Sequence, residues 1–105
     1  MQNSPQITFR HMAPSDALRA RVLEHVEHLE RFHGRIISCH VVVDTPPGNQ
    51  RNGGPFDVKV ELTLPGRQVH ARSERGVHVA HDDVYVALRD AFDSAKRQLQ
   101  DTRTA

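Results

Sequence analysis

The stretch Phe56 to Leu64, FDVKVELTL, constrains this chain more than any other. Phe56, Val58, Val60, Leu62 and Leu64 alternate with Asp57, Lys59, Glu61 and Thr63. Successive strand side chains point to opposite faces, so this pattern predicts a strand with one buried face and one polar face. A single buried face needs a cover. The two long amphipathic stretches able to supply it, Ser15–His33 and Asp82–Leu99, lie on either side of the strand in sequence.

With 105 residues the chain is long enough for one real core and too short for a catalytic domain plus a second module, so residues 1–105 read as a single domain. A formal charge of +1 does not by itself demand a polyanionic partner, and any nucleic-acid argument must rest on where the charges sit. Cys39 is the only cysteine, which rules out an internal disulfide and suits a reducing compartment. The N-terminal MQNSPQITFRHM has no basic segment followed by an apolar run, and nothing approaches the roughly 18 apolar residues that span a bilayer. A cytoplasmic protein with no membrane partner is the expectation.

Taken in order, Pro5 to Arg10 places Ile7 and Phe9 on one side and Thr8 and Arg10 on the other, a short half-buried strand. The period then changes. Ser15 after Pro14 is a suitable N-cap, Asp16 suits the positive end of a helix dipole, and Gly34 is placed to end the helix. Leu18, Val22, Val26 and Leu29 form its apolar stripe. Ile36–Asp44 is β-branched, with Ile37, Cys39, Val41 and Val43 on one face and Ser38, His40 and Val42 on the other. Cys39 therefore reads as a small core residue rather than a nucleophile. Thr45–Pro55 is rich in proline and glycine and is expected to be a long hairpin loop; no helix start follows it, so it makes a poor phosphate cradle.

After the central strand, Pro65–Gly66 is a tight turn, and Val69, Ala71 and Ser73 continue a shorter strand with His70, Arg72 and Glu74 outward. Arg75–His81 is a connector. Asp82 and Asp83 favour a helix start, and Val84, Leu88, Ala91, Ala95 and Leu99 form the last apolar stripe. The order is β-α-β-β-β-α. The first two strands, separated by a helix, are parallel if adjacent, and the later ones follow by hairpins. The fold class is α+β: a four-stranded mixed sheet with two helices packed on one face.

At about 100° per residue the polar surfaces of the helices sort by sign. Arg21, His25, His28 and Arg31 fall on one flank of the first helix, with Asp16, Glu27 and Glu30 on the other. In the last helix Arg89, Lys96 and Arg103 line one flank with Tyr85 at its start, opposite Asp90, Ser94 and Asp101, a side broken by Arg97. If the helices run parallel, the two basic flanks either border the groove between them or both face away. The plain reading is solvated helix faces with i,i+4 pairs. The sharper one is a phosphate-binding stripe in which Arg and Lys replace counterions. Tyr85 is the one aromatic beside it, too few for a stacking platform.

Eight histidines include two pairs one turn apart, His25 with His28 and His78 with His81. No Cys or acidic partner completes a zinc pattern such as HExxH, so no metal or cofactor is expected. There is also no Gly-x-Ser-x-Gly, P-loop or ordered Ser-His-Asp set, and the chain is not read as an enzyme or as a binder of a small-molecule substrate.

Several segments together resemble a known family: SDALRARV and HLERFHGRI over Ser15–Ile36, LPGRQVHA over Leu64–Ala71, and DDVYVAL and AFDSAKRQL over Asp82–Leu99. This is similar to the ribosome hibernation-promoting factors, also called ribosome-associated translation inhibitors or ribosomal subunit interface proteins. The final helix, with Asp83, Tyr85, Ala87, Asp93 and Arg97–Gln98–Leu99 in register, is the most specific part. The resemblance implies the same fold and a place in the decoding channel of the small ribosomal subunit, with basic residues of both helices against ribosomal RNA. Arg19, Arg35 and Arg97 match basic positions of the pattern. His25 and His28 stand where the family usually has lysine, Ser94 where another lysine is common, and Arg89 replaces an aspartate. Arg75–His81 is longer than usual.

The RNA-binding set expected from flanks and resemblance together is therefore Arg19, Arg21, His25, His28, Arg31, Arg35, Arg89, Lys96, Arg97 and Arg103. The chain resembles the short form of the family, which lacks the extra domain that pairs ribosomes, so a monomer is expected, with a homodimer through the sheet as the alternative. The implied role is ribosome hibernation in stress or stationary phase. The competing reading is a divergent member that engages a protein and has lost ribosome binding. Histidines in place of lysines make pH-sensitive binding a further expectation.

Overall fold

The computed structural model describes residues 2–45, 56–73 and 84–101. The expected loop over 46–55, the connector over 74–83 with the Asp82–Asp83 helix start, and Arg103 lie outside these residues. The elements run β1 (Gln6–Arg10), α1 (Asp16–Phe32), β2 (Ser38–Asp44), β3 (Asp57–Leu64), β4 (Arg67–Arg72) and α2 (Val84–Asp101). This is the expected β-α-β-β-β-α order. The strands lie side by side as β1-β2-β3-β4. The pair separated by a helix, β1 and β2, is parallel, and both hairpin pairs are antiparallel.

The central strand behaves as its alternation requires. Val58, Val60, Leu62 and Leu64 are buried, and they meet Cys39, Val41, Val43, Val69 and Ala71 on the same face. Over that face lie Leu18, Val22, Val26 and Leu29 from α1 and Ala87, Leu88, Ala91, Phe92, Ala95 and Leu99 from α2. Burial pushes the Cys39 thiol up to about 12, with Glu30 adding to the shift, so it packs as a neutral side chain.

Local chemistry sets the ends. Ser15 caps α1, its Oγ accepting from the Leu18 N–H at 3.2 Å. Pro65 and Gly66 join β3 to β4, with Gly66 at φ 79°, the positive value that the third position of a type II turn requires. The Gln98 side-chain amide donates to the His70 carbonyl at 2.8 Å, so α2 covers part of the outer edge of β4.

Three expectations are corrected. Gly34 does not terminate α1. The helix ends at Phe32, His33 turns extended while its N–H still donates to the Leu29 carbonyl at 2.8 Å, and Gly34 lies in the turn beyond. Ile36, not Ile37, is the buried isoleucine before β2, because the two-residue repeat starts only where the β2 ladder does, at Ser38. Asp57 belongs by alternation to the polar face but is 7% exposed. Arg72 lies over it, with Nη2 donating to Oδ2 at 3.0 Å, and this partner offsets part of the cost of burying the carboxylate.

Leu62 is 1% exposed at the centre of this core. Truncating it to alanine is expected to cost about 2–5 kcal/mol. Urea unfolding checks this against Leu23→Ala on the exposed side of α1, for which the expected change is within about 0.5 kcal/mol.

Candidate functional site

Three ring contacts join the helices. The Arg21 guanidinium sits 4.9 Å over the Tyr85 ring, the His25 imidazole stacks on Phe92 at 4.8 Å and 12°, and the Lys96 ammonium sits 4.8 Å over Phe32. Contacts progress in the same direction along both chains, from Arg21 with Tyr85 to Phe32 with Lys96. The helices therefore run parallel. Arg21 and His25 of the α1 flank and Lys96 of the α2 flank thus face the seam between the helices.

Each pairing has a local cause. The residues one step ahead of the α1 stripe, Arg21, His25 and Phe32, project sideways toward α2 because the apolar stripe itself points down at the sheet. On α2 the burial of Leu88 and Ala95 leaves Tyr85, Phe92 and Lys96 on the side toward α1. A cation over an aromatic face is attracted by the ring quadrupole, by about 0.5–1 kcal/mol where exposed. The gain also fixes two long side chains in place.

The groove, of about 520 Å³, is lined by Arg21, Glu24, His25, Glu27, His28 and Arg31 from α1 and Asp93 from α2. Arg21 lies 4.0 Å from Glu24 and Arg31 lies 3.6 Å from Glu27. Glu27 thus lines the basic flank rather than the acidic one expected of it, because an i,i+4 pairing draws it to Arg31. Two arginines against three carboxylates leave the groove one negative charge with both imidazoles neutral and one positive charge with both protonated.

The remaining expected residues are dispersed. Arg19 lies on the other side of α1, 5.6 Å over the Phe9 ring of β1. Arg35 is exposed in the turn after α1. Arg89 and Arg97 are exposed on the outer ridge of α2 with Asp93 between them. Arg103 lies outside the described residues. The aromatic partners Phe32 and Phe92 were missed, although Phe92, four residues after Leu88, is visible as part of the α2 stripe. Tyr85 is exposed with Arg21 over one face of its ring, and it is a single aromatic rather than a stacking platform. Among the described residues no set of three or more His, Cys, Asp or Glu side chains converges as a metal site would.

His25 is half-buried against Phe92. Burial, reinforced by Arg21, holds its pKa below the ordinary 6.5, against the opposing pull of Asp93 and Glu24. It stacks as a neutral ring.

The comparisons agree with the architecture. The family described as Sigma 54 modulation protein / S30EA ribosomal protein matches residues 6–105. Two solved structures share the fold. A ribosomal subunit interface protein from Coxiella burnetii superposes with a TM-score of 0.77 at 19% identity, over 96% of this chain and 98% of that one. The Protein Y N-terminal domain from Thermus thermophilus superposes with a TM-score of 0.70 at 22% identity, over 97% and 99%. No curated protein matches the chain.

A depressed histidine pKa has a definite consequence for stability. As pH falls below about 6.5 the unfolded chain takes up a proton that folded His25 resists, so its contribution is lost from there down through its folded value. His25→Phe keeps a ring on Phe92 and removes this titration. Urea midpoints between about pH 7.5 and pH 5 should fall more steeply for the wild type than for the variant, and parallel curves would contradict the assignment.

Proposed function

The chain belongs to the Sigma 54 modulation protein / S30EA ribosomal protein family, and on that premise we propose that it is a non-catalytic hibernation factor of the small ribosomal subunit. It occupies the decoding channel where transfer and messenger RNA would lie, blocks initiation and shields idle ribosomes under stress or in stationary phase. The observation that carries this reading is that Arg21 and Lys96, one from each basic flank, are each held over an aromatic ring of the other helix. A cation held over a ring loses less side-chain freedom when it meets a phosphate than a free one does. Its outward N–H groups remain available. Recognition is backbone electrostatics plus shape, because Arg, Lys and His outnumber the single exposed aromatic, Tyr85, beside the seam.

The chain acts as a monomer in the cytoplasm on this reading, and no helix among its described residues is long and apolar enough to cross a membrane. The three carboxylates in the groove favour one alternative, a divergent member that presents the same face to a protein. Co-sedimentation with ribosomes at low and high salt separates the two, since only the phosphate-dependent contact is released steeply by salt.

Changing Arg21, Arg31, Lys96 and Arg97 together to glutamine is expected to weaken ribosome binding and to flatten the log–log salt slope by roughly three to four. An unchanged slope would place the contact elsewhere. Two imidazoles line the groove where lysines would carry permanent charge. Binding at fixed salt should tighten from about pH 7.5 to about pH 5.5 in the wild type, and less so in the His25→Gln, His28→Gln double variant. A flat wild-type profile removes the idea.

A further inference from the structure

The face of the sheet turned away from the helices carries a site that the helix flanks do not explain. Strand register aligns Gln6, His40, Glu61 and His70 in one row across all four strands, and Thr8, Val42, Lys59 and Arg72 in the next. His40, Glu61 and His70 of the first row are connected to one another and to Thr8 of the second. Thr8 Oγ1 lies 2.9 Å from His40 Nε2, His40 Nδ1 lies 3.6 Å from Glu61 Oε1, and His70 Nδ1 lies 3.4 Å from Glu61 Oε2. Over this row opens a concavity of about 310 Å³ whose walls also include Ser38 and Gln68. A second one of about 240 Å³ adjoins it, sharing Glu61 and His70 and adding Lys59 and Arg72.

Two features of this pair of hollows point to a ligand. The larger has the volume of a small-ligand pocket, yet its side chains are amides, hydroxyls and imidazoles around a single carboxylate, a set that exchanges hydrogen bonds with hydroxyls and base edges. The smaller contains Lys59 and Arg72 directly opposite each other on neighbouring strands, two cations of which Asp57 neutralises one. Arg72 is held by Asp57 at 3.0 Å, whereas Lys59 forms no ion pair with a described residue. A phosphate fits beside Lys59, and hydroxyl-bearing chemistry fits beside Glu61.

We propose that this open face binds single-stranded RNA, with one ribose and its base edge in the concavity over His40, Glu61 and His70 and the adjoining phosphate on Lys59. The carboxylate argues for RNA over DNA, because it can accept a hydrogen bond from a 2′-hydroxyl that DNA lacks. The site shares no residue with the groove between the helices, so it stands or falls independently of the function proposed above.

The test is a titration of the full chain, followed by backbone amide shifts, with an unstructured hexaribonucleotide, the DNA of the same sequence, and adenosine monophosphate. The expected result is that RNA moves amides of β2, β3 and β4 around Glu61. Lys59→Gln should weaken this binding by about fivefold, and Glu61→Gln should reduce the preference for RNA over DNA. Both side chains are at the surface, and the Arg21, Arg31, Lys96 and Arg97 variant should leave these shifts unchanged. Shifts confined to α1 and α2, equal response to DNA, no binding, or binding of the mononucleotide without the RNA would each overturn the proposal.

Discussion

Burial of one face of the sheet is the constraint from which the rest of this molecule follows. Val58, Val60, Leu62 and Leu64 cannot be covered by a second layer of strands, because the chain supplies only two further long apolar stripes, and both have helical spacing. Both helices must therefore lie on the same side. Once they do, their apolar stripes are committed to the sheet, and the residues just before the α1 stripe and just after the α2 stripe are turned toward the neighbouring helix. The pairing of Arg21 with Tyr85 and of Phe32 with Lys96 is a by-product of that commitment.

The same constraint leaves the molecule with two unlike surfaces. The helix side is ridged and carries mixed charge, with Arg89, Asp93 and Arg97 along the crest of α2 and arginines and carboxylates alternating in the groove. The sheet side is flatter, and its charges are set by register: each polar residue there is held opposite a fixed partner on the next strand. A helix face can redistribute its ion pairs by rotating long side chains. A strand row such as His40, Glu61 and His70 has less freedom, because both neighbours of Glu61 are already defined by backbone hydrogen bonding.

Legibility in the sequence follows the range of the interaction concerned. The stripe of α1, the alternation of β3, the Ser15 cap and the Pro65–Gly66 turn are local signals, and each is found where the residues placed it. Strand order was beyond reach because pairing of β1 with β2 brings together residues such as Ile7 and Val41 that no periodicity connects. Asp57 was misread for a related reason, since the guanidinium of Arg72 that covers it belongs to another strand. In the groove, helical spacing identified Arg21, His25, His28 and Arg31 but could not choose between bordering α2 and facing away. That choice depends on the relative direction of the helices and on Phe92, whose ring holds His25 at the seam. The row on the open face was invisible until register aligned its members.

Net charge is a poor guide to what this family member can bind, and the groove shows why. Counted as formal charges it is slightly negative, yet Arg21 is both ion-paired and held over a ring, and its carboxylate partner Glu24 is largely exposed. An exposed pair at 4.0 Å is worth little in water, so exchanging Glu24 for a phosphate costs less than the charge count suggests. The incoming phosphate also releases counterions, a gain that the intramolecular pair cannot match. On the proposed reading, the carboxylates therefore weaken a phosphate contact without abolishing it. With fewer permanent cations than a face built from lysines, such a contact releases fewer counterions and has a shallower salt slope.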